Sequence, residues 1–405
     1  MPNIPEDVVL DILDSYPNWW SRDLSRFALV SSTWLNPARS HLFARPFLSS
    51  YRACFLLYRT LHNNSHLASL VRGLDLRPDR NDCDLVHHRY MESVPMLLAL
   101  PTLQLQELAL GEHLSCQAER FLRAVGNPQT ISSLRITGST DDFCGESSLE
   151  WDSWELSTRF SGMKKLELLG PMHLEIYCDQ ILRRPSNNLF GCRIEELRVV
   201  GTSGNAGLLG HLFGIASWST LRTLVLVADS DGFEDHLQLT SLLRTPLPSL
   251  ESLSIEYRKQ YSPYRTYPLF DMDLEDLLEL GHYPGDDESP QSFIDDVYTL
   301  TRPQESVQKL CVTSLCLTAD ALPAIAQLFP NMRCFDVRER CDNLISLGEW
   351  ARFHQGGRLQ RLTHFSLSID RPKGRRGPPD GLDLLKNACS TSKINLNYSD
   401  PSYHL

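Results

Sequence analysis

A short pattern, apolar-x-x-apolar-x-apolar, recurs from about residue 67 and constrains the fold of the chain more than any other feature. Alternate residues of a β-strand point to the same side, so the end of each copy predicts a short strand with one apolar face. The middle apolar residues are Leu74, Leu108, Leu134, Leu166, Leu197, Leu224, Leu253, Leu315, Phe335 and Phe365. The first seven lie 26 to 34 residues apart. Such a period is typical of stacked units that are each too small to fold alone.

The spacing resembles that of leucine-rich repeats. This resemblance implies an α/β fold in which parallel strands alternate with helices. Apolar segments between the strands predict the helices, among them 121–125, 322–329 and 344–353. The turn position at which such repeats carry Asn or Cys holds varied residues here, such as Pro171 and Arg258. We therefore expect an irregular solenoid, and the alternative is a conventional α/β domain with a parallel sheet.

The first 43 residues predict two or three short amphipathic helices. Pro5 suits the start of a helix, and the acidic Glu6 and Asp7 favour its N-terminus. The predicted apolar stripe of this helix consists of Val8, Val9, Ile12 and Leu13. Ser21 is a candidate N-cap of a second helix, and Pro37 is expected near the start of the regular part of a third. A unit this small buries little apolar surface by itself, so we expect it to contact another protein or, alternatively, to cap the repeats.

The order of these residues resembles the F-box. An apolar-Pro-acidic start, an Ile-Leu helix, an Asp-Leu pair and the sequence from Leu29 to Trp34 follow one another, as in that family. The ending, residues 34–39 followed by 41–43, is similar to F-box proteins of mushroom-forming fungi. The resemblance implies that the segment docks on the Skp adaptor, and through it on the cullin scaffold of a ubiquitin ligase. The docking residues that it implies are Ile4, Pro5, Val8, Ile12, Leu13, Leu24, Leu29, Val30 and Trp34. Residues 16–20 depart from the family pattern because they lengthen the first turn.

These resemblances imply three segments. Residues 1–45 form the helical F-box, residues 46–66 a connecting helix, and residues 67–405 an irregular solenoid of leucine-rich repeats. An insertion is predicted at 257–306, where two neighbouring copies of the pattern are about twice as far apart as elsewhere; the alternative is a repeat whose pattern has decayed. Long segments of this kind tend to be functional or disordered.

The residue between the two buried positions of each strand is expected to face the concave side of such an array. The candidate substrate-facing residues are Asp75, Arg135, Glu167, Arg198, Val225 and Asp336, and the same reasoning adds Ala109, Ser254, Cys316 and Ser366. These side chains are mixed in charge and size. The mixture suits recognition of a particular protein surface and identifies none.

Signatures of an active site are scarce in the sequence. The eleven cysteines include no C-x-x-C pair, and we expect neither a metal nor another cofactor. A formal charge of −11 argues against binding of nucleic acid, and no apolar run reaches the length that spans a membrane. We therefore expect a cytoplasmic or nuclear protein that is not an enzyme, and the F-box resemblance implies a substrate receptor of a Skp–cullin–F-box ubiquitin ligase. The alternatives are a leucine-rich-repeat scaffold with no link to ubiquitin and an unrecognised hydrolase or transferase.

Overall fold

The repeated apolar triplets form strands that pair in parallel in the computed structural model of this protein. The structure describes residues 4–15, 21–78, 88–138, 148–150, 159–175, 193–204, 218–229, 247–258, 303–314, 319, 321–340, 345–370 and 381–399. The chain divides into two units, Met1–Ile194 and Glu195–Leu405. No helix among the described residues has both the length and the apolar character needed to span a membrane.

The first unit begins with three helices and continues as alternating helices and strands. Its helices are α1 (Glu6–Asp14), α2 (Ser21–Phe27), α3 (Ser32–Ala44), α4 (Tyr51–Asn63), α5 (Ser65–Leu70), α6 (His88–Met91), α7 (Ser93–Leu98) and α8 (Ala118–Ala124). Its strands are β1 (Phe47–Leu48), β2 (Gly73–Leu76), β3 (Glu107–Gly111), β4 (Ser133–Thr137), β5 (Ser148–Glu150) and β6 (Lys165–Glu175). The strand order is β1-β2-β3-β4-β6, and β5 pairs with the far end of β6.

In the described part of the second unit, helices alternate with strands from Lys309 onward. Its helices are α9 (Ala321–Leu328), α10 (Leu347–Gln355) and α11 (Leu382–Thr391). Its strands are β7 (Glu196–Gly204), β8 (Thr223–Asp229), β9 (Ser252–Arg258), β10 (Lys309–Ser314), β11 (Cys334–Arg340), β12 (His364–Asp370) and β13 (Asn395–Ser399). They lie in chain order, and each pairs in parallel with the next.

The register of the strands places equivalent apolar residues side by side. In the first unit Leu74 is opposite Leu108, which is opposite Leu134 and then Leu166, and all four are buried. The first apolar residue of each triplet is also buried, as Val71 and Ile131 are. The triplets thus contribute equivalent buried positions, stacked strand by strand, to the core. The prediction of an α/β fold in which parallel strands alternate with helices is confirmed, whereas the three predicted segment boundaries stay predictions.

The predicted register of β10 is wrong. The sequence pattern centred this strand on Leu315, but β10 places Leu310 opposite Leu253 on one side and Phe335 on the other. Val307, Leu310 and Val312 form the buried triplet, so the outward residue between the last two is Cys311 rather than Cys316. Most of the predicted insertion, residues 259–302, lies outside the described part of the chain.

Three helix starts also differ from the predictions. Pro5 is the residue before α1 rather than its first residue, with an extended backbone (φ −61°, ψ 150°). Helix α3 begins at Ser32 and includes Pro37, which was expected at the start of its regular part. Ser21 is the first residue of α2 rather than its N-cap.

Side chains just before four of the triplets form hydrogen bonds with the preceding repeat. The hydroxyl of Thr130 donates to the carbonyl of Leu105 (2.8 Å), and the hydroxyl of Ser306 donates to that of Leu247 (3.0 Å). Ser249 and Asn331 make equivalent hydrogen bonds. These four residues all directly precede the first buried residue of a triplet. They satisfy loop carbonyls without a ladder of one residue type.

Candidate partner-binding surface

Helices α1, α2 and α3 share a small apolar core. Val9, Leu13, Leu24 and Ala38 are buried in it, and Phe27, Ala28, Trp34 and Leu42 pack around them. The rings of Phe27 and Trp34 lie 5.3 Å apart between centroids. The core therefore takes residues from all three helices, and each helix depends on the other two.

The outer side of α1 is also apolar. Val9 and Leu13 are fully buried, but Val8 and Ile12, one position earlier in each case, are 42% and 39% exposed. Residues four apart are neighbours on a helix, so Val8 and Ile12 form a second row beside the buried one. The predicted single stripe of four residues is thus two rows, of which only one faces the core. Leu10 is exposed as well, which the sequence analysis did not single out.

The turn between α2 and α3 presents two further apolar residues. Leu29 is 86% exposed and Val30 is 63% exposed. Hydrogen bonds hold the backbone of this turn. The amide of Leu29 donates to the carbonyl of Arg26, and the amide of Val30 donates to the carbonyl of Phe27, both at 3.0 Å. An ordered turn that holds large apolar side chains in solvent is a feature of interaction sites.

The nine predicted docking residues thus fall into two groups. Ile4, Pro5, Val8, Ile12, Leu29 and Val30 are exposed, whereas Leu13 and Leu24 are buried and Trp34 is partly buried. We call this exposed group of six residues the apolar surface; Leu10, two positions from both Val8 and Ile12, lies on the opposite side of α1. The structure brings Leu13, Leu24 and Trp34 together in the helical core, where they can hold this surface but do not form its outer face.

The helical unit joins the first sheet through a very short connection. Only Arg45 and Pro46 separate α3 from β1. The amide of Arg72 donates to the carbonyl of Ala44 (2.9 Å), and the amide of Asp75 donates to that of Pro46 (3.1 Å). Arg45 also forms an ion pair of 2.7 Å with Glu107 on β3. Backbone hydrogen bonds therefore continue from the end of α3 into the sheet.

A second candidate surface is the sheet face opposite the buried triplets. In the first unit the register aligns Phe47, Asp75, Ala109, Arg135 and Glu167 in one row across the strands. Arg135 and Glu167 are direct neighbours, and Ala109 separates Asp75 from Arg135. Phe47 was not predicted, because its two-residue strand is too short to show the pattern.

The charges on this face are paired with one another. Arg135 Nε lies 2.6 Å from Glu167 Oε2, and Lys165 Nζ lies 3.5 Å from Glu167 Oε1. Arg77 donates from two nitrogens to the carboxylate of Asp75, at 2.8 and 3.1 Å. Burial by itself would raise the pKa of Glu167, but the hydrogen bond and charge of Arg135, with those of Lys165, outweigh it and lower the pKa. Glu167 is therefore a buried, ionised and fully paired carboxylate.

The equivalent row of the second unit contains Arg198, Val225, Ser254, Cys311, Asp336 and Ser366. Arg198 is exposed, Val225 is partly buried, and Asp336 Oδ2 lies 3.9 Å from Lys309 Nζ. Burial raises the pKa of the Cys311 thiol, against the opposing effect of its hydrogen bond with Ser254. A protonated thiol is a poor nucleophile, so this arrangement does not favour covalent chemistry at Cys311.

No group of three or more His, Cys, Asp or Glu residues suitable for a metal ion occurs within the described ranges. Among the described residues, the apolar surface is an arrangement that suits contact with a partner. In comparisons with known proteins, no protein-family model and no curated protein matches this chain.

Proposed function

We propose that this protein is the substrate-receptor subunit of a Skp–cullin–F-box ubiquitin ligase. Its N-terminal helices dock on the Skp adaptor, and the sheet units, as degenerate leucine-rich repeats, hold a protein substrate in the cytoplasm or nucleus. The receptor needs no catalytic residue, because the other subunits transfer ubiquitin. Its contribution is proximity, since holding two reactants together raises their effective concentration.

The arrangement of α1 is the observation that carries this proposal. The row of Val9 and Leu13 already fills the core, yet the adjacent row of Val8 and Ile12 is equally apolar and faces solvent. A helix that only covered the sheet would gain nothing from that second row. Its residues match the positions at which the F-box resemblance implies contact with the adaptor.

A co-purification experiment with a purified fungal Skp adaptor tests the proposal. Replacing both Val8→Ser and Ile12→Ser removes two apolar contacts, each worth about 1.5–3 kcal/mol when fully buried. The affinity for the adaptor should fall by more than about tenfold. Leu384→Ser is the matched control, because Leu384 is an exposed apolar residue on α11.

The variants should retain the fold, because both residues lie outside the core. Failure of the unmodified protein to bind the adaptor would contradict the proposal. Equal binding by the double variant and the control would contradict the assignment of the surface.

One observation favours the second candidate, a protein-binding scaffold with no link to ubiquitin. Helix α3 contacts α5 and leads directly into β1, as a helical cap of the first sheet would. In that case removing the apolar row of Val8 and Ile12 should change neither adaptor binding nor the stability of the chain.

A further inference from the structure

A row of acidic residues runs beside the exposed apolar row of α1. Asp7 directly precedes Val8, and Asp11 directly precedes Ile12. Since successive residues of a helix are offset in the same rotational sense, the row of Val8 and Ile12 lies between the acidic row and the buried row. Both aspartates are exposed. The exposed apolar row of α1 therefore has the helical core along one edge and negative charge along the other.

The acidic row has no counter-charge within the described part of the chain. Two other aspartates of the helices have partners: Asp14 lies 3.0 Å from His41, and Asp23 lies 3.9 Å from Arg26. No ion pair among the described residues involves Asp7 or Asp11. Helix α1 also has no basic residue in its last turn. With respect to the described residues, the carboxylates of Asp7 and Asp11 are thus exposed and without an ion-pair partner.

The acidic row also opposes the stability of α1. Like charges four residues apart destabilise a helix by about 0.2–0.5 kcal/mol, and Asp7 and Asp11 are such a pair. Asp7 is in the first turn, where the helix dipole favours a negative charge, but Asp11 lies beyond it. A feature that works against local structure is expected at a functional surface.

We infer that the partner groove that receives α1 is apolar and carries lysine or arginine side chains along the edge that faces Asp7 and Asp11. This inference rests on the proposed function, in which the groove belongs to the Skp adaptor. Complementary charges at the rim of an interface mainly accelerate association. Because salt screens them, the rate should fall as the salt concentration rises.

Asp11→Lys separates folding from docking. It replaces the repulsion between residues 7 and 11 by an attraction, so α1 should be at least as stable as before. It also brings a positive charge towards the basic edge of the partner. Asp383→Lys on α11 is the matched control, because Asp383 is exposed and the change in net charge is the same.

The experiment measures the rate of association with a purified fungal Skp adaptor at about 50 mM and about 500 mM salt. At low salt the Asp11→Lys protein should associate about tenfold more slowly than the unmodified protein, and its rate should depend less on salt. The Asp383→Lys protein should behave as the unmodified protein does.

Equal rates and equal salt dependence for Asp11→Lys and the unmodified protein would overturn the basic groove and leave the proposed function standing. If the unmodified protein does not bind the adaptor at either salt concentration, the proposed function fails, and the inference fails with it. Circular dichroism of the Asp11→Lys protein should show its helical content preserved, so that slower association reports on docking.

Discussion

Arg135 and Glu167 are opposite one another on adjacent parallel strands, and their side chains are joined by a hydrogen bond of 2.6 Å between Nε and Oε2. Glu167 is buried on the sheet face that sequence analysis assigned to substrate. Removing one partner of a buried pair leaves the other charge uncompensated. Arg135 therefore compensates a charge that the fold buries, whatever else it contacts.

Arg135→Met should lower the free energy of unfolding by about 1–3 kcal/mol, because the Glu167 carboxylate keeps only Lys165. The control is Arg120→Met. Arg120 forms an ion pair of similar length (2.7 Å) with Glu92, but both side chains are exposed, so the cost should stay below about 1 kcal/mol. Urea unfolding measures the free energy of unfolding of both variants. Equal decreases would contradict the view that burial of Glu167 makes its ion pair the more important one for stability.

The same pair predicts that the free energy of unfolding decreases at acidic pH. The pKa of Glu167 is lower in the folded state than its ordinary value of 4.5. The unfolded chain therefore takes up the proton first, and the stabilisation is complete above pH 4.5 and is lost as the pH falls through the folded pKa. Urea unfolding below pH 4.5 should show this loss in the unmodified protein and a smaller loss in the Arg135→Met protein.

His354 predicts a second loss of stability as the pH falls, in a higher pH range than the loss at Glu167. Its imidazole is buried among Trp350, Phe353 and Phe365, and neither ring nitrogen has a hydrogen-bond partner among the described residues. Burial lowers its pKa from 6.5 to about 4. The unfolded chain binds the proton first, so stability is complete above pH 6.5 and decreases by up to about 3 kcal/mol towards pH 4.

Urea unfolding at pH 7 and pH 5 measures this decrease. His354→Leu should be much less sensitive in that interval, because the substituted side chain does not titrate. Since it also removes an unpaired polar group from the core, it should be as stable as the unmodified protein at pH 7 or more stable. An unchanged difference between the two pH values would contradict the assignment to His354.

Replacement by alanine should have opposite effects on stability at two glycines, Gly162 and Gly348. A Cβ at Gly162 would lie 2.2 Å from the carbonyl oxygen of Gln129, so Gly162→Ala forces the backbone apart and should cost about 1–3 kcal/mol. A Cβ at Gly348, in the first turn of α10, would meet no atom closer than 3.9 Å. Gly348→Ala should therefore stabilise the protein by about 0.5–1 kcal/mol. Thermal unfolding distinguishes the two, and a shift in the same direction would contradict this reasoning.

Trp34→Ala should unfold the N-terminal helices as well as abolish docking. The indole packs on Phe27 and against the core of Val9, Leu13 and Leu24, so its loss should cost about 3–5 kcal/mol. Limited proteolysis of the full chain should then cut within the first 44 residues and leave the sheet units intact. Resistance of this segment would show that Trp34 is dispensable for the helical core.

The triplets could be predicted from the sequence because each repeats the same three buried positions. The β10 register could not, because two overlapping frames share Val312: one ends at Leu317 and the other begins at Val307. Only the neighbouring strands select the second frame, by placing Leu310 beside Leu253 and Phe335. The last strand was missed for a related reason. Its apolar residues are Ile394, Leu396 and Tyr398, one residue closer than in the pattern, after a left-handed turn at Lys393 (φ 57°).

The candidate surface was predictable in composition but not in detail. Helical spacing alone cannot distinguish the row of Val9 and Leu13 from that of Val8 and Ile12, because both rows are apolar. The packing of α2 and α3 selects which row is buried. The pairing of Arg135 with Glu167 likewise depends on register across strands, which a single sequence encodes only indirectly.

In the proposed receptor, the two-residue joint of Arg45 and Pro46 would determine the orientation of a bound partner. Since the carbonyls of Ala44 and Pro46 accept hydrogen bonds from residues around β2, the orientation of the three helices is inherited from the first sheet. A partner seated on α1 would then extend in a direction fixed when that sheet forms. The position of that partner relative to a captured substrate would then depend on the orientation of the helices and not on the length of a flexible linker.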